Sequence, residues 1–166
     1  MKKILFAASE AVPFMKTGGL ADVTGSLPKY FDKKNYDVRV ILPKYVCMEE
    51  RWKGQLHFLC HFYVNLSWRK QYVGIFETTY DGITYYLVDN EFYFAGNAPY
   101  NNIYEDVEKF AFFSKAVLEA LPYLDFCPDI IHCHDWQTGL LPVFLRTLYG
   151  DEEYYCLLYT SDAADD

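Results

Sequence analysis

The chain has 166 residues, 52% of them apolar, which is enough for one compact domain and too few for two sizeable ones. Fifteen Lys and Arg against 23 Asp and Glu give a formal charge of −8, which argues against nucleic acid or any other long polyanion as a partner. No apolar run approaches the roughly 20 residues of a membrane span, and the stretch 4–8 is too short for a signal-peptide core, so the chain reads as cytoplasmic with no membrane partner. Five cysteines, odd in number and without a Cys-x-x-Cys pair, read as reduced thiols rather than a disulfide framework or a zinc knuckle.

Residues 3–9 form a short apolar run ending in small residues, the pattern of a buried parallel strand. Leu20, Val23, Leu27, Tyr30 and Phe31 then recur at helical spacing, with Pro28 expected to bend the helix and Asn35 placed to stop it. Residues 38–42 are a second apolar run closed by Pro43, which makes a strand, helix, strand crossover unit. The segments 56–66, 71–78 and 83–88 are rich in aromatic and β-branched residues, with Asp81-Gly82 as a hairpin turn, and predict an antiparallel excursion. Residues 91–102 carry Gly96, Pro99 and three Asn without periodicity and predict a loop. Val107, Phe110, Phe113 or Ser114, Val117 and Leu121 mark one face of a helix over 105–121, acidic at its start. A short strand over 129–133 and a helix over 139–149 complete a second crossover unit. The whole reads as a Rossmann-like α/β domain over 1–155, with ligands expected at the carboxyl ends of its parallel strands. Residues 156–166, ending in an acidic aperiodic run, read as a non-native or disordered tail.

Two segments carry chemistry. Lys16-Thr17-Gly18-Gly19-Leu20 sits between the first strand and its helix, where backbone N–H groups and a helix N-terminus meet an anionic ligand. It is neither a Walker loop nor Gly-x-Gly-x-x-Gly, and alone it fits either a diphosphate cradle or a flexible turn with a solvated lysine. His132-Cys133-His134-Asp135-Trp136 lies at the carboxyl end of a strand, so both histidines point to one face. Such a pair suits zinc only with a third or fourth ligand, and His57 and His61 lie in an unrelated segment. Acid-base work by a His-Asp pair lacks a nucleophile partner here.

The run Ser9-Glu10, Pro13, Lys16 to Val23, Gly25, Leu27-Pro28 resembles the opening signature of bacterial glycogen and starch synthases. The resemblance continues through Val40 to Tyr45, Phe110 to Ser114 and Pro128 to Leu140. It implies the N-terminal half of a GT-B fold and a metal-free, cofactor-free transfer of glucose from ADP-glucose to the non-reducing end of an α-1,4-glucan, with retention. It further implies that Lys16, Gly18 and Gly19 bind the donor diphosphate, that Asp22, Tyr100, Trp136 and Gln137 face sugar and acceptor, and that His134 and Asp135 belong to the catalytic wall. Tyr100 closes Gly96-Asn97-Ala98-Pro99-Tyr100, an altered form of the family loop that also fits an aromatic closing a surface loop. Gln137 stands where relatives often have histidine, which keeps hydrogen bonding and removes titration. The family's Thr-x-His-Asn motif is expected to begin near Thr160, but its histidine and asparagine are absent. A second, C-terminal domain is expected as the missing partner, so the chain reads as truncated and inactive alone. The alternatives are a non-catalytic glucan- or nucleotide-binding module and a GT-B transferase with another donor.

Overall fold

The computed structural model describes residues 1–155 and the backbone of Tyr159–Asp162. In chain order the elements are β1 (Lys2–Ala7), α1 (Gly19–Ser26), β2 (Tyr36–Pro43), α2 (Glu50–Lys53), β3 (His57–Leu66), β4 (Arg69–Tyr80), β5 (Ile83–Asp89), α3 (Ile103–Ala120), β6 (Ile130–Cys133), α4 (Leu140–Thr147) and β7 (Tyr159–Asp162). The strands form one sheet in the order β3-β4-β5-β2-β1-β6-β7. β1 pairs in parallel with β2 on one side and β6 on the other, and β5 joins β2 in parallel. Among the described strands, β3 with β4 and β4 with β5 are antiparallel. The fold is therefore the expected α/β sheet, mostly parallel, with its antiparallel excursion at one edge.

Alternation along the central strands sorts side chains to two faces. Leu5, Ala7, Ile41, Tyr86, Val88 and Ile131 face the layer made by α3 and α4, together with Phe112, Phe113, Val117 and Leu145. Ile4, Phe6, Val38, Val40, Tyr85 and Leu87 face the opposite layer, where Phe14, Met48 and Trp52 close over them. Both faces are covered, so these strands read as continuous apolar runs rather than alternating ones. Asn102 accepts hydrogen bonds from the N–H groups of Tyr104 and Glu105 at 3.2 Å each, which sets the start of α3 two residues before the acidic cluster. The Asp81-Gly82 turn has φ of 50° and 73°, the left-handed pair that a two-residue hairpin needs.

Two expectations change. The helix predicted over 20–31 is α-helical only to Ser26 and passes into a 3-10 turn at Leu27–Tyr30, with Pro28 at the junction. It does not bury the Leu20, Val23, Leu27 stripe: Val23 and Leu27 are exposed, and Ala21, Thr24 and Gly25 are buried instead. The reason is close approach, since a Cβ on Gly25 would lie 2.5 Å from the Val12 carbonyl oxygen. Small residues let α1 lie directly on the segment that leaves β1. The short α2, carrying buried Trp52, had no periodic signal in its four residues.

Beyond the boundary expected near residue 155 lies β7, whose backbone pairs in parallel with β6 in the register Ile130 to Tyr159 through Cys133 to Asp162. The rest of the 156–166 segment lies outside the described residues. Among the described residues no helix is long and apolar enough to cross a membrane.

Gly25→Ala should lower stability by about 1–3 kcal/mol through overpacking against Val12, and urea unfolding measures it. A variant as stable as the parent would show that α1 can lift from the loop at no cost.

Candidate functional site

β1 is the switch point of the sheet, with its parallel neighbours reached in opposite directions, and ligands gather outside the carboxyl ends of such strands. The Lys16 to Leu20 loop leaves β1, and the His134 to Trp136 segment leaves β6. The two strand ends are tied together, His134 N–H donating to the Ala7 carbonyl at 3.1 Å. Both predicted segments therefore emerge side by side on one rim.

Glu10 organises the first of them. The residue is 2% exposed, and its Oε2 accepts from both the N–H and the Oγ1 hydroxyl of Thr17 at 2.7 Å. Its carbonyl accepts from Thr24 Oγ1 at 2.6 Å, so one residue grips both the loop and α1. Gly18 is the N-cap of α1, with no side-chain cap hydrogen bond among the described residues. Its first-turn N–H groups are left for water or a ligand. A Cβ on Gly19 would meet nothing within 4 Å, so the approach to this end is open. Lys16 donates to Asp22 at 2.7 Å in an ion pair about half exposed on both sides, which contributes roughly 0–1 kcal/mol and exchanges easily.

Tyr100 joins the two segments. Its hydroxyl and Ser9 Oγ share a hydrogen bond of 2.7 Å, and its ring packs on Phe110 at 5.9 Å between centroids. Burial pushes its pKa up to about 12, and the charges of Glu10 and Asp135 push the same way against the Ser9 hydrogen bond. Tyr100 is thus in electrostatic reach of both segments. The loop that presents it is held by a buried ion pair on α3: Lys109 and Asp106, 3% and 7% exposed, meet at 2.9 Å. Lys109 also donates to the Pro99 carbonyl at 2.7 Å, and Asp106 accepts the Asn101 N–H at 3.1 Å. Tyr45, from the Val40 to Tyr45 block, donates its hydroxyl to the Ser9 carbonyl at 2.8 Å.

In the second segment, the His132 and His134 rings lie on one face as expected, 4.5 Å apart, both packed on Phe6. His134 is 2% exposed, while Asp135 follows it onto the surface. Asp135 has φ 64° and ψ 178°, a strained region for a side-chain-bearing residue, and such strain clusters at functional sites. Its carboxylate accepts the Trp136 N–H at 2.7 Å. Thr138 Oγ1 donates to the His134 carbonyl at 2.9 Å and pins the turn. Trp136 is half exposed and stands edge-on to Phe110 at 5.5 Å. Gln137 is 6% exposed, and its Oε1 has no hydrogen-bond partner among the described residues. Tyr100, Phe110 and Trp136 form a ring-to-ring path across the rim.

A family model described as the starch synthase catalytic domain matches residues 3–160. The chain belongs to the starch synthase catalytic domain family. Glycogen synthase from Lachnoclostridium phytofermentans is 66% identical over 93% of this chain, and that from Lachnospira eligens is 61% identical over the same share. The chain spans 32% of the length of each. Among solved structures, the catalytic domain of Starch Synthase IV from Arabidopsis thaliana, bound to ADP and acarbose, superposes with a TM-score of 0.84 at 28% identity. That match covers 97% of this chain and 33% of that one.

Within this starch synthase domain, sequence reasoning quoted Ser9, Glu10, Thr17 and Tyr45 only as parts of motifs. An acidic residue beside a loop expected to meet an anion was a signal that it binds the protein instead. Lys109 and Asp106 are three apart on a helix read only as acidic at its start, and nothing in that spacing announced burial.

Glu10→Ala should cost about 1–3 kcal/mol by leaving the Thr17 donors without their acceptor, and Glu10→Gln should recover most of it because an amide oxygen accepts too. Urea unfolding of both variants decides between acceptor and charge. Tyr100 contributes stability that is whole below the ordinary tyrosine pKa of 10 and lost as pH climbs through about 12. The fall in the urea midpoint between those values should be shallower in Tyr100→Phe; an identical slope would remove Tyr100 from the alkaline transition.

Proposed function

We propose that this chain forms the acceptor-side half of a retaining glucosyltransferase that moves glucose from ADP-glucose to the non-reducing end of an α-1,4-glucan. The observation that carries the proposal is the uncapped start of α1, with Lys16 beside it, on the same rim as Tyr100 and the strained Asp135. The Starch Synthase IV domain bound to ADP and acarbose supports a nucleotide and a saccharide as the ligand classes.

In this reading the donor diphosphate meets the Gly18 and Gly19 amides and draws Lys16 from Asp22. Two phosphate charges outcompete one exposed carboxylate, and fixed donors meet the charge that grows on the departing ADP. Asp22, released from Lys16, accepts from sugar hydroxyls. Trp136 offers a ring face to the glucan, and Gln137 and Tyr100 line the wall around the transferred glucose. Asp135 presents its carboxylate at the rim, and His134, packed on Phe6, sets its direction. No metal or cofactor enters the reading. The groups that close over the donor from the other side belong to a second domain, and retaining transfer needs that closure.

The test is a chimera carrying residues 1–155 in place of the matching segment of a 66% identical glycogen synthase. It should elongate maltooligosaccharide from ADP-glucose, and Lys16→Ala should lower kcat/KM about 100-fold. The 166-residue chain by itself should show no transfer. An inactive chimera, or transfer by the chain alone, would overturn the proposal. Calorimetry of the chain with ADP and with maltooligosaccharide then separates a plain binding module from half of an enzyme.

A further inference from the structure

We propose that Lys109 and Asp106 are positioning residues for the transfer: their buried ion pair grips the chain on both sides of Tyr100 and so fixes that ring against the reacting sugar. The inference rests on the reading of Tyr100 as part of the wall around the transferred glucose, and deepens it.

The geometry is that of a clamp with two arms. One arm is the Lys109 ammonium, which donates to the Pro99 carbonyl at 2.7 Å and so holds the peptide group that enters Tyr100. The other is the Asp106 carboxylate, whose two oxygens both accept the Asn101 N–H at 3.1 Å, holding the peptide group that leaves Tyr100. The arms meet each other at 2.9 Å, three residues apart on α3. Peptide groups are planar, so fixing the one before and the one after a residue leaves its φ and ψ little freedom. What remains is the side chain, and that is held as well: the hydroxyl shares its hydrogen bond with Ser9, and the ring packs on Phe110. The Lys109 ammonium lies 5.7 Å from the centre of the same Phe110 ring, so the clamp and the ring that backs Tyr100 belong to one unit.

Stability alone does not call for this arrangement. Two charges at 3% and 7% exposure carry a desolvation penalty that apolar side chains of the same size would avoid. Between Asp89 and Ile103 the chain forms neither strand nor helix, so an anchor of the loop could sit anywhere along it. This one closes on the two peptide groups of a single residue, whose hydroxyl reaches across to the exit of β1. Its base is rigid, because α3 buries Phe110, Phe112 and Phe113 against the sheet. A group beside reacting atoms loses on the order of 100-fold in rate when it is misplaced by about 1 Å, which is the scale on which a released loop would move.

NMR of this chain carrying tyrosine labelled with carbon-13 at Cζ reads the surroundings of the Tyr100 hydroxyl with no substrate present, its signal being the one lost in Tyr100→Phe. Lys109→Met combined with Asp106→Asn removes both charges together and leaves no buried ion unpaired. In that double variant the Tyr100 signal should move toward the position of free tyrosine, while the signal of Tyr86, bonded to Arg39, stays where it was. Lys109→Arg, which can donate to both partners, should hold the Tyr100 signal near its parent position. Circular dichroism checks folding, and Asp106→Asn alone, which keeps a weaker acceptor for both donors, should move the signal part of the way if the double variant does not fold. In the chimera, the double variant should lower kcat about ten-fold and change KM for ADP-glucose by less than about two-fold. Introduced beside Tyr100→Ala, it should lower kcat by less than a further factor of about two, because nothing is left to position. A Tyr100 signal that stays in place in folded variants overturns the clamp whatever the chimera does. Equal losses of kcat with and without Tyr100 overturn the positioning role and leave the pair a structural anchor. A chimera whose kcat ignores Tyr100→Ala overturns the reading of Tyr100, and the proposal with it, even where the signal moves.

Discussion

The constraint on which the site depends is the double pairing of β1. A strand hydrogen-bonded on both sides cannot slide against one neighbour without breaking with the other, so its carboxyl end is a fixed point. Ser9 and Glu10 leave from that point, and His134 is tied back to it through Ala7. The loop with Lys16 and the turn with Asp135 are thereby placed relative to each other by one strand, not by contacts of their own. Their separation in sequence, more than a hundred residues, is removed by the sheet before any side chain at the rim acts.

Beyond the strand ends, precision comes from buried polar groups. Glu10 and the Lys109 with Asp106 pair each take charged groups out of water, which carries a penalty, and each recovers it through short bonds to backbone groups of an irregular segment. Loops have no ladder to fix them, so a buried carboxylate or ammonium that accepts or donates to their backbone substitutes for one. The consequence is that the two segments lacking regular structure, 11–18 and 91–102, are each anchored through their backbone at these points. A purely apolar anchor would fill space but would not choose one backbone conformation over another.

What could be read in the sequence follows from this division. Period-two burial on both faces made β1, β2 and β6 legible as apolar runs, and Asp81-Gly82 announced its hairpin because only a few residues tolerate two successive positive φ angles. The loop after β1 and the His134 to Trp136 turn were legible as a candidate site through their place at strand ends and their motif. The buried face of α1 was not, because Ala21, Thr24 and Gly25 carry almost no hydrophobic signal; closeness to Val12 selected them, and closeness is a tertiary fact. The role of Glu10 was hidden for a related reason: the residue that it serves is seven positions away across a turn that no local periodicity describes.

Asp135 shows what the arrangement costs. Its φ and ψ lie where a Cβ is unwelcome, at roughly 1–3 kcal/mol, and a glycine there would remove the strain. A glycine would also remove the carboxylate that accepts the Trp136 N–H and would free the turn that aims both residues outward. The strain is sustained by its neighbours: the His134 bond to Ala7 on one side and the Thr138 hydroxyl on the His134 carbonyl on the other leave the backbone no relaxed alternative. The chain therefore spends stability at the one position where a charged side chain must leave the end of β6 in a direction that an unstrained strand exit would not give it. That a strained acidic residue, a half-exposed tryptophan and an uncapped helix start share one rim is hard to explain by folding alone, because each is a local loss that a ligand would offset.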